Sequence, residues 1–353
     1  MNKTQDDQLV TYGGFHPDHT ELKRYFNGNL VYTVQIESNL ACSQGCLFCY
    51  ASSGDHQNRE LPDEIIKSIL DSAAKLGVKA IDWLGGDPII RKNWYELMKY
   101  ASDLDLINNI WTSGLPLADI KVAKKVVEVS KGGFISVHLD TLNEEKYSKL
   151  HLGDPAKKIS EILAGVENVQ NSGKSGDEIY NSITFTKILA GDDVKNTIEF
   201  FYKKYGIRTC LTQMCNVGSA TEHPDWIPNC NEIKEAIIAR DEINYPNSPK
   251  SMSSMDTNKF YCGGVICVTI DGDVTPCSVI RLGFGNVFQQ PLETIIEKNK
   301  DRLLYTELRD EKNLPGNCNS CDNNTVCWGC RATAYYEMGD MNAVDPKCWL
   351  SQD

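Results

Sequence analysis

Cys42, Cys46 and Cys49 stand three and then two residues apart in the run Cys-Ser-Gln-Gly-Cys-Leu-Phe-Cys, with the aromatic Phe48 just before the last. Three thiolates in one tight loop suit a metal, and thiolate is the ligand that selects zinc or iron–sulfur clusters. Three is an odd count for either. A closed tetrahedral zinc site needs a fourth ligand, and none lies nearby in sequence. A [4Fe–4S] cluster held by three cysteines leaves one iron open to a substrate. The plainer readings of this loop are zinc or three unrelated buried thiols.

A second array lies near the end of the chain: Cys262, Cys267, Cys277, Cys318, Cys321, Cys327, Cys330 and Cys348. Val265 to Cys277 reads as a hairpin with a turn at Asp271-Gly272, which sets Cys267 opposite Cys277 to within about one residue of register. The two Cys-x2-Cys pairs, Cys318/Cys321 and Cys327/Cys330, also have a zinc-ribbon spacing, so two structural zinc sites remain an alternative for this segment.

The elements that must position these residues follow from apolar periodicity. Residues 1–29 read as an irregular arm, too short for a separate peptide-recognition domain. Leu30–Ile36 is β-branched and alternating, and predicts a first strand feeding the cysteine loop. A helix opens at Pro62-Asp63-Glu64, carries a stripe of Ile65, Ile66, Ile69, Leu70 and Ala73, and stops at Gly77. Further strands are expected at 78–84, 109–112, 134–139, 183–189 and 209–214, with helices at 93–101, 120–129, 156–171 and 194–205. This alternation implies right-handed crossovers and a parallel sheet, α/β in class. Six units make a partial (β/α)6 barrel spanning 30–240, followed by a cysteine-rich domain over 241–353. Ligands of such sheets sit at the C-terminal ends of the strands, where the first cysteine loop lies. Cys210 falls inside the sixth strand as a buried thiol. Cys215 follows that strand, and Cys230 opens a helix without an assigned partner.

Composition bounds the setting. The chain has 353 residues and a net charge of −12, which argues against nonspecific binding to nucleic acid or anionic membrane. Its start is polar and acidic, without a signal peptide's apolar core, and no run of about 18 apolar residues is present. Fourteen cysteines without a secretion signal read as metal ligands in a reducing cytoplasm, under oxygen-poor conditions.

The first loop resembles the signature of the radical S-adenosylmethionine (SAM) superfamily, Cys-x3-Cys-x-aromatic-Cys, and Gly85-Gly86-Asp87-Pro88 after the second strand resembles that family's Gly-Gly-Glu-Pro motif, with aspartate for glutamate. The resemblance implies that Cys42, Cys46 and Cys49 hold a [4Fe–4S] cluster whose open iron chelates SAM. It also implies that Gly85 to Pro88 hold SAM's amino group, and that Phe48, Ser113, Ser136, Asp140 and Gly218 lie at its contacts. SAM cleavage then gives a 5'-deoxyadenosyl radical that takes hydrogen from a substrate. The segment 262–348 resembles the SPASM extension, which binds two auxiliary [4Fe–4S] clusters. Its pattern departs only in that Cys327 and Cys330 are two rather than three residues apart. Family topology assigns Cys262, Cys267, Cys277 and Cys330 to the first auxiliary cluster and Cys318, Cys321, Cys327 and Cys348 to the second. Such clusters are expected to relay an electron from the product radical.

The substrate is less marked. Sulfatase-maturating relatives carry an aspartate base directly after the cysteine equivalent to Cys277; here Ser278 stands there, a poor base at neutral pH. Formylglycine formation is therefore not expected. The expectation is a radical SAM oxidoreductase or maturase acting on a peptide or protein, with a flavodoxin or ferredoxin as reductant. The alternatives are the same chemistry on a small molecule, such as oxidative decarboxylation of a tetrapyrrole or cofactor precursor, or a zinc or iron–sulfur scaffold without catalysis.

Overall fold

The computed structural model describes residues 19–246 and 252–350. Its centre is a sheet of eight strands in the order β6-β5-β4-β3-β2-β1-β7-β8. These are β1 (Thr33–Asn39), β2 (Ala80–Gly85), β3 (Ile107–Thr112), β4 (Ile135–His138), β5 (Ile179–Phe185), β6 (Arg208–Gln213), β7 (Val265–Val268) and β8 (Val274–Thr275). Every pairing is parallel except β7 with β8. The expected α/β barrel is present, and the C-terminal hairpin extends it by laying β7 beside β1, Thr33 opposite Val265.

All seven residues of β1 are buried although polar and apolar residues alternate along it. Val34 and Ile36 belong to the main apolar core. Gln35 and Glu37 point to the opposite face, the barrel interior, where they find polar partners. The crossovers are helical: α2 (Asp63–Lys75), α3 (Trp94–Asp103), α4 (Ile120–Val129), α5 (Glu144–Leu150), α6 (Pro155–Asn171) and α7 (Asp192–Tyr205). α2 shows why they form. Acids fill its first turn, Lys75 its last, and Ile66, Ile69, Leu70 and Ala73 face the core. α8 (Cys230–Asn244) begins at Cys230 as expected, with Asn229 and Glu232 closing a capping box.

Three expectations change. Residues 19–27, expected as irregular arm, form helix α1 (His19–Asn27); residues 1–18 of the expected arm lie outside the described residues. α1 sends Leu22, Tyr25 and Phe26 into a second apolar core with Phe260, Tyr261 and Trp328. The fifth strand runs over Ile179–Phe185 rather than 183–189, because Lys187–Leu189 turns into a short 3-10 helix. In the hairpin, Cys267 pairs with Thr275 and not with Cys277, since the loop closes by Thr269 and Asp273 and leaves Cys277 beyond the ladder.

After the hairpin the chain forms α10 (Leu292–Leu303) and α11 (Arg331–Met338), preceded by the one-turn α9 (Lys259–Cys262). Among the described residues no helix is long and apolar enough to cross a membrane.

Candidate active site

Both cysteine arrays border one cavity of ≈ 390 Å³ at the C-terminal ends of the strands. Cys42, Cys46 and Cys49 lie on one side and Cys262, Cys277 and Cys330 on another. The first loop is held down from several directions. Leu47 N–H donates to Leu150 O at 2.9 Å, Lys158 Nζ donates to Gln44 O at 3.0 Å, and Ser219 N–H donates to Cys49 O at 2.9 Å. Burial and the charge of Asp87 push the Cys42 thiol up to about 12, and burial with the charges of Cys42 and Cys49 pushes Cys46 well up. Thiols crowded this way stay protonated until a cation joins them, and a bound metal reverses that preference. A loop of mutually repelling thiols facing a cavity fits an iron–sulfur cluster whose remaining iron faces a ligand.

Gly85 and Gly86 line the cavity, but their close contacts are with the end of β1. A Cβ on either would press into the carbonyl oxygen of Asn39 or Ala41, while Gly86 N–H donates to Asn39 O at 2.6 Å. Asp87 is fully buried and absent from the cavity lining, as is Pro88, which opens a 3-10 turn. The Asp87 carboxylate accepts from Ser113 N–H at 3.0 Å, Ser113 Oγ at 2.5 Å, Thr112 Oγ1 at 2.9 Å and Ile89 N–H at 3.3 Å. As placed, its side chain fastens the tip of β3 to the loop after β2, and Ser113 is both its partner and a cavity residue.

At β4, Ser136 lines the cavity with a buried hydroxyl that has no protein partner. Asp140 is buried behind it. Its Oδ2 meets His138 Nε2 and His151 Nε2, each at 2.8 Å, and its Oδ1 accepts Thr184 N–H at 2.7 Å. Burial opposes ionisation of Asp140, but the charge and hydrogen bond of His138 outweigh it and hold the carboxyl well below the usual range. Burial also disfavours His138 protonation, yet the Asp140 charge raises its pKa above the ordinary histidine value. Phe48 packs against this pair, 6.2 Å from His138 and 5.5 Å from His151 between ring centres. Gly218 sits behind the cysteine loop against the carbonyls of Cys49 and Tyr50, and Cys215 and Val217, not Gly218, reach the cavity.

The second array falls into two groups of thiols that feel each other's charge, with one link between the groups. Cys262 feels Cys277 and Cys330 and, after them, Cys327 of the other group, and Cys267 feels Cys277. Cys318 feels Cys348 and Cys321, and Cys327 feels Cys348 and Cys318. Asp345 ties the groups together, accepting Cys330 N–H at 2.7 Å and Lys347 N–H at 2.9 Å and bonding Ser254. Burial is the first cause holding these thiols up, so here too the donor set fits metal rather than free thiol. Cys210 is buried in β6 as expected, and Cys230 lies beside the second group, its Sγ 3.3 Å from Lys347 O.

Several cavity residues gave no motif. Ser182 and Thr184 project from β5, where the expected strand began too late to show them as a pair, and Gln213 closes β6. Gln35 and Tyr261 also line the cavity, and both bond Asp82 Oδ2 beneath it, at 3.2 and 2.7 Å. Cys215 feels Cys330 and Cys277, a fifth thiol beside the first group. His151, the buried partner of Asp140, sits between two helices, where nothing in sequence marks it.

This arrangement agrees with comparisons to known proteins. Residues 36–201 match the radical SAM superfamily and residues 261–322 match the SPASM iron-sulfur cluster-binding domain, the two parts of a SPASM-bearing radical SAM enzyme. These two domains bring [4Fe–4S] clusters and SAM as cofactors, and the cysteine-rich C-terminal segment fits auxiliary clusters. Among its relatives is an AdoMet-dependent heme synthase of Methanosarcina barkeri, 24% identical, with the match covering 89% of this chain and 95% of that protein. Another is a PqqA peptide cyclase of Granulibacter bethesdensis, 23% identical, covering 83% and 80%. The fold is shared with Streptococcus suis SuiB, solved bound to its precursor peptide SuiA, at TM-score 0.65 and 18% identity over 94% of this chain and 79% of that one.

Proposed function

We propose that this enzyme oxidises or crosslinks a peptide or protein segment by radical chemistry, using the cysteines in the sets that the resemblance implies. Cys42, Cys46 and Cys49 hold the SAM cluster. Cys262, Cys267, Cys277 and Cys330 hold the first auxiliary cluster, and Cys318, Cys321, Cys327 and Cys348 the second. The larger mutual charges among the thiols support this division, although Cys262 also feels Cys327 across it. With these groups bound, an electron passed to SAM supplies the 5'-deoxyadenosyl radical that takes a substrate hydrogen atom, and the auxiliary clusters supply an acceptor for the electron left behind.

The chain's own residues position the reactants and exclude water. Phe48 and the Asp140-held His138 wall the cavity beside the cysteine loop. Asp87 keeps Ser113 at the cavity's edge. The buried Ser136 Oγ, Gln213 Nε2 and Gln44 Oε1 lack protein partners, and a ligand rich in amides would satisfy them.

The observation that carries the peptide reading is how little unpaired charge the wall offers among the described residues. Asp256 is paired with Arg240 and His138 with Asp140, which leaves Arg331, buried and donating to backbone carbonyls, as the wall's one cation without an ion pair. Such a wall suits a peptide better than a tetrapyrrole, whose several carboxylates call for several cationic partners. Oxidation of a tetrapyrrole side chain is the second reading, favoured by the heme synthase likeness along nearly the whole of that relative.

The test is anaerobic incubation of the reconstituted enzyme with SAM and reduced flavodoxin or dithionite. Short peptides encoded beside its gene are one substrate set, and a propionate-bearing tetrapyrrole is the other. Peptide-dependent release of 5'-deoxyadenosine, with two hydrogens lost from peptide mass, is the expected result. Tetrapyrrole-dependent release with loss of carbon dioxide overturns it in favour of the second reading.

A further inference from the structure

Arg331 follows directly on Cys330 and opens α11, yet it is only 4% exposed. Its guanidinium donates from Nε to Gly329 O at 3.2 Å and from Nη1 to Met341 O at 3.0 Å and Ala343 O at 2.8 Å. Nη2 is buried without a protein partner. All its acceptors are neutral, and among the described residues it forms no ion pair. The acid nearby, Asp345, turns its carboxylate to the backbone of Cys330 and Lys347 and to Ser254. Gly329, in left-handed backbone, makes the room: a Cβ there would sit 2.9 Å from Nη2.

A buried guanidinium whose acceptors are all neutral carbonyls is expensive, and with the nearby Asp345 carboxylate already given to other donors, further negative charge close by would stabilise it. Arg331 stands between the two groups: it follows Cys330 and lines the cavity with Cys262 and Cys277 of the first, while its Nη1 holds the carbonyls of Met341 and Ala343 in the segment that leads to Cys348 of the second. Each four-thiolate iron–sulfur centre is anionic and gains a further negative charge on reduction.

We propose that Arg331 is the shared counter-ion of the two auxiliary centres, its free Nη2 donating to sulfur of one of them and its charge holding both reduction potentials up. The device suits an electron path, since a cation common to both centres keeps them both ready to accept. Arg331 acts through the centres and is a positioning residue, not a catalytic one. The inference rests on the ligand sets proposed above.

The experiment is an anaerobic redox titration of the holoenzyme followed by electron paramagnetic resonance, comparing wild type with Arg331→Met and Arg331→Lys. Iron is counted first: wild type below about twelve irons per chain counts against the ligand sets, apart from any role of Arg331. With all irons present, both auxiliary potentials are expected to fall in Arg331→Met and to stay closer to wild type in Arg331→Lys, while the SAM cluster's potential is unmoved. Unchanged potentials in an iron-replete Arg331→Met protein overturn the proposal, and a shift in one centre alone overturns the sharing. If neither variant holds its iron, wild type labelled with 15N-arginine decides. A nitrogen hyperfine coupling to a reduced auxiliary centre is expected, and its absence overturns the proposal.

Discussion

At the scale of single residues the two buried acids of the barrel divide the labour. Asp87 stands where the family motif has an acid, and in this structure its carboxylate is saturated by Ser113, Thr112 and Ile89. Asp87→Asn would set an amide donor against those donors, so a loss of about 1–3 kcal/mol of stability is expected, read by denaturant unfolding. Asp87→Glu, which restores the family's residue, is expected to destabilise as well, because another methylene would push the buried carboxylate off the donors of Ser113, Thr112 and Ile89. Near-wild-type stability with weakened SAM binding would instead show that the side chain serves the ligand. The sequence marked Asp87 by its neighbours in the motif, but the partners that occupy it come from β3, and strand-to-strand contacts leave no local pattern. Asp82 carried no motif at all. Burial raises its pKa despite hydrogen bonds from Asn109, Tyr261 and Gln35. The ionised form is therefore the costly one. Its contribution to stability is greatest at low pH and declines as pH rises from about 3.9 through the raised folded value. Unfolding measured against pH should show Asp82→Asn gaining on wild type across that window and holding a constant difference above it.

Between elements, the joint that matters is β1 against the segment after the hairpin. Glu37 of β1 is fully buried, and Arg281 grips it with Nη1 at 2.9 Å and Nη2 at 2.8 Å, while Ile270 N–H adds a third donor at 3.0 Å. Removing the cation alone strands a carboxylate in the interior, so Arg281→Met is expected to destabilise by about 3–5 kcal/mol. Glu37→Gln combined with Arg281→Met is expected to recover part of that loss, and a cycle of the four proteins by chemical denaturation gives the coupling. Additive losses would mean that the pair is not coupled. The strands and helices of the barrel were legible because apolar spacing repeats locally; the α4 range, Ile120–Val129, agrees with the periodicity to the residue. The fifth strand was displaced because Ile188 and Leu189, apolar enough to look like strand, turn into a 3-10 helix. Hairpin register was off because the turn residues predict where a chain reverses, whereas the loop's own bonds decide which residues face each other.

Across the whole molecule α1 and the cysteine-rich segment fold as one body. Phe26 packs edge-on to Phe260 at 5.2 Å and against Trp328 at 5.7 Å, and Arg309 bonds both Phe26 O and Gly263 O. No sequence pattern could place α1, whose apolar face meets its partners only after some 230 residues of barrel, roughly the distance in chain from Phe26 to Phe260. Helix and cysteine segment therefore depend on each other. Phe26→Ala, expected to cost about 3–5 kcal/mol, should lower auxiliary iron content while sparing the SAM cluster, as counted by iron analysis and spectroscopy. The converse follows from metal–folding linkage. The loops of 262–348 carry little regular structure, so the free energy of ligand binding contributes much of their order. Chelating the iron should raise amide exchange across 262–348 and, through the shared core, across α1, while β2 to β5 stay protected by their own helices. The diagnostic residue set is β7, which shares its ladder with β1 and its thiol Cys267 with the cysteine array. Loss of protection in β7 together with α1 would mean that the iron centres hold the sheet's added edge in place. Protection retained in both after chelation would mean that packing alone suffices, and that the cysteine array is fitted onto a body already folded.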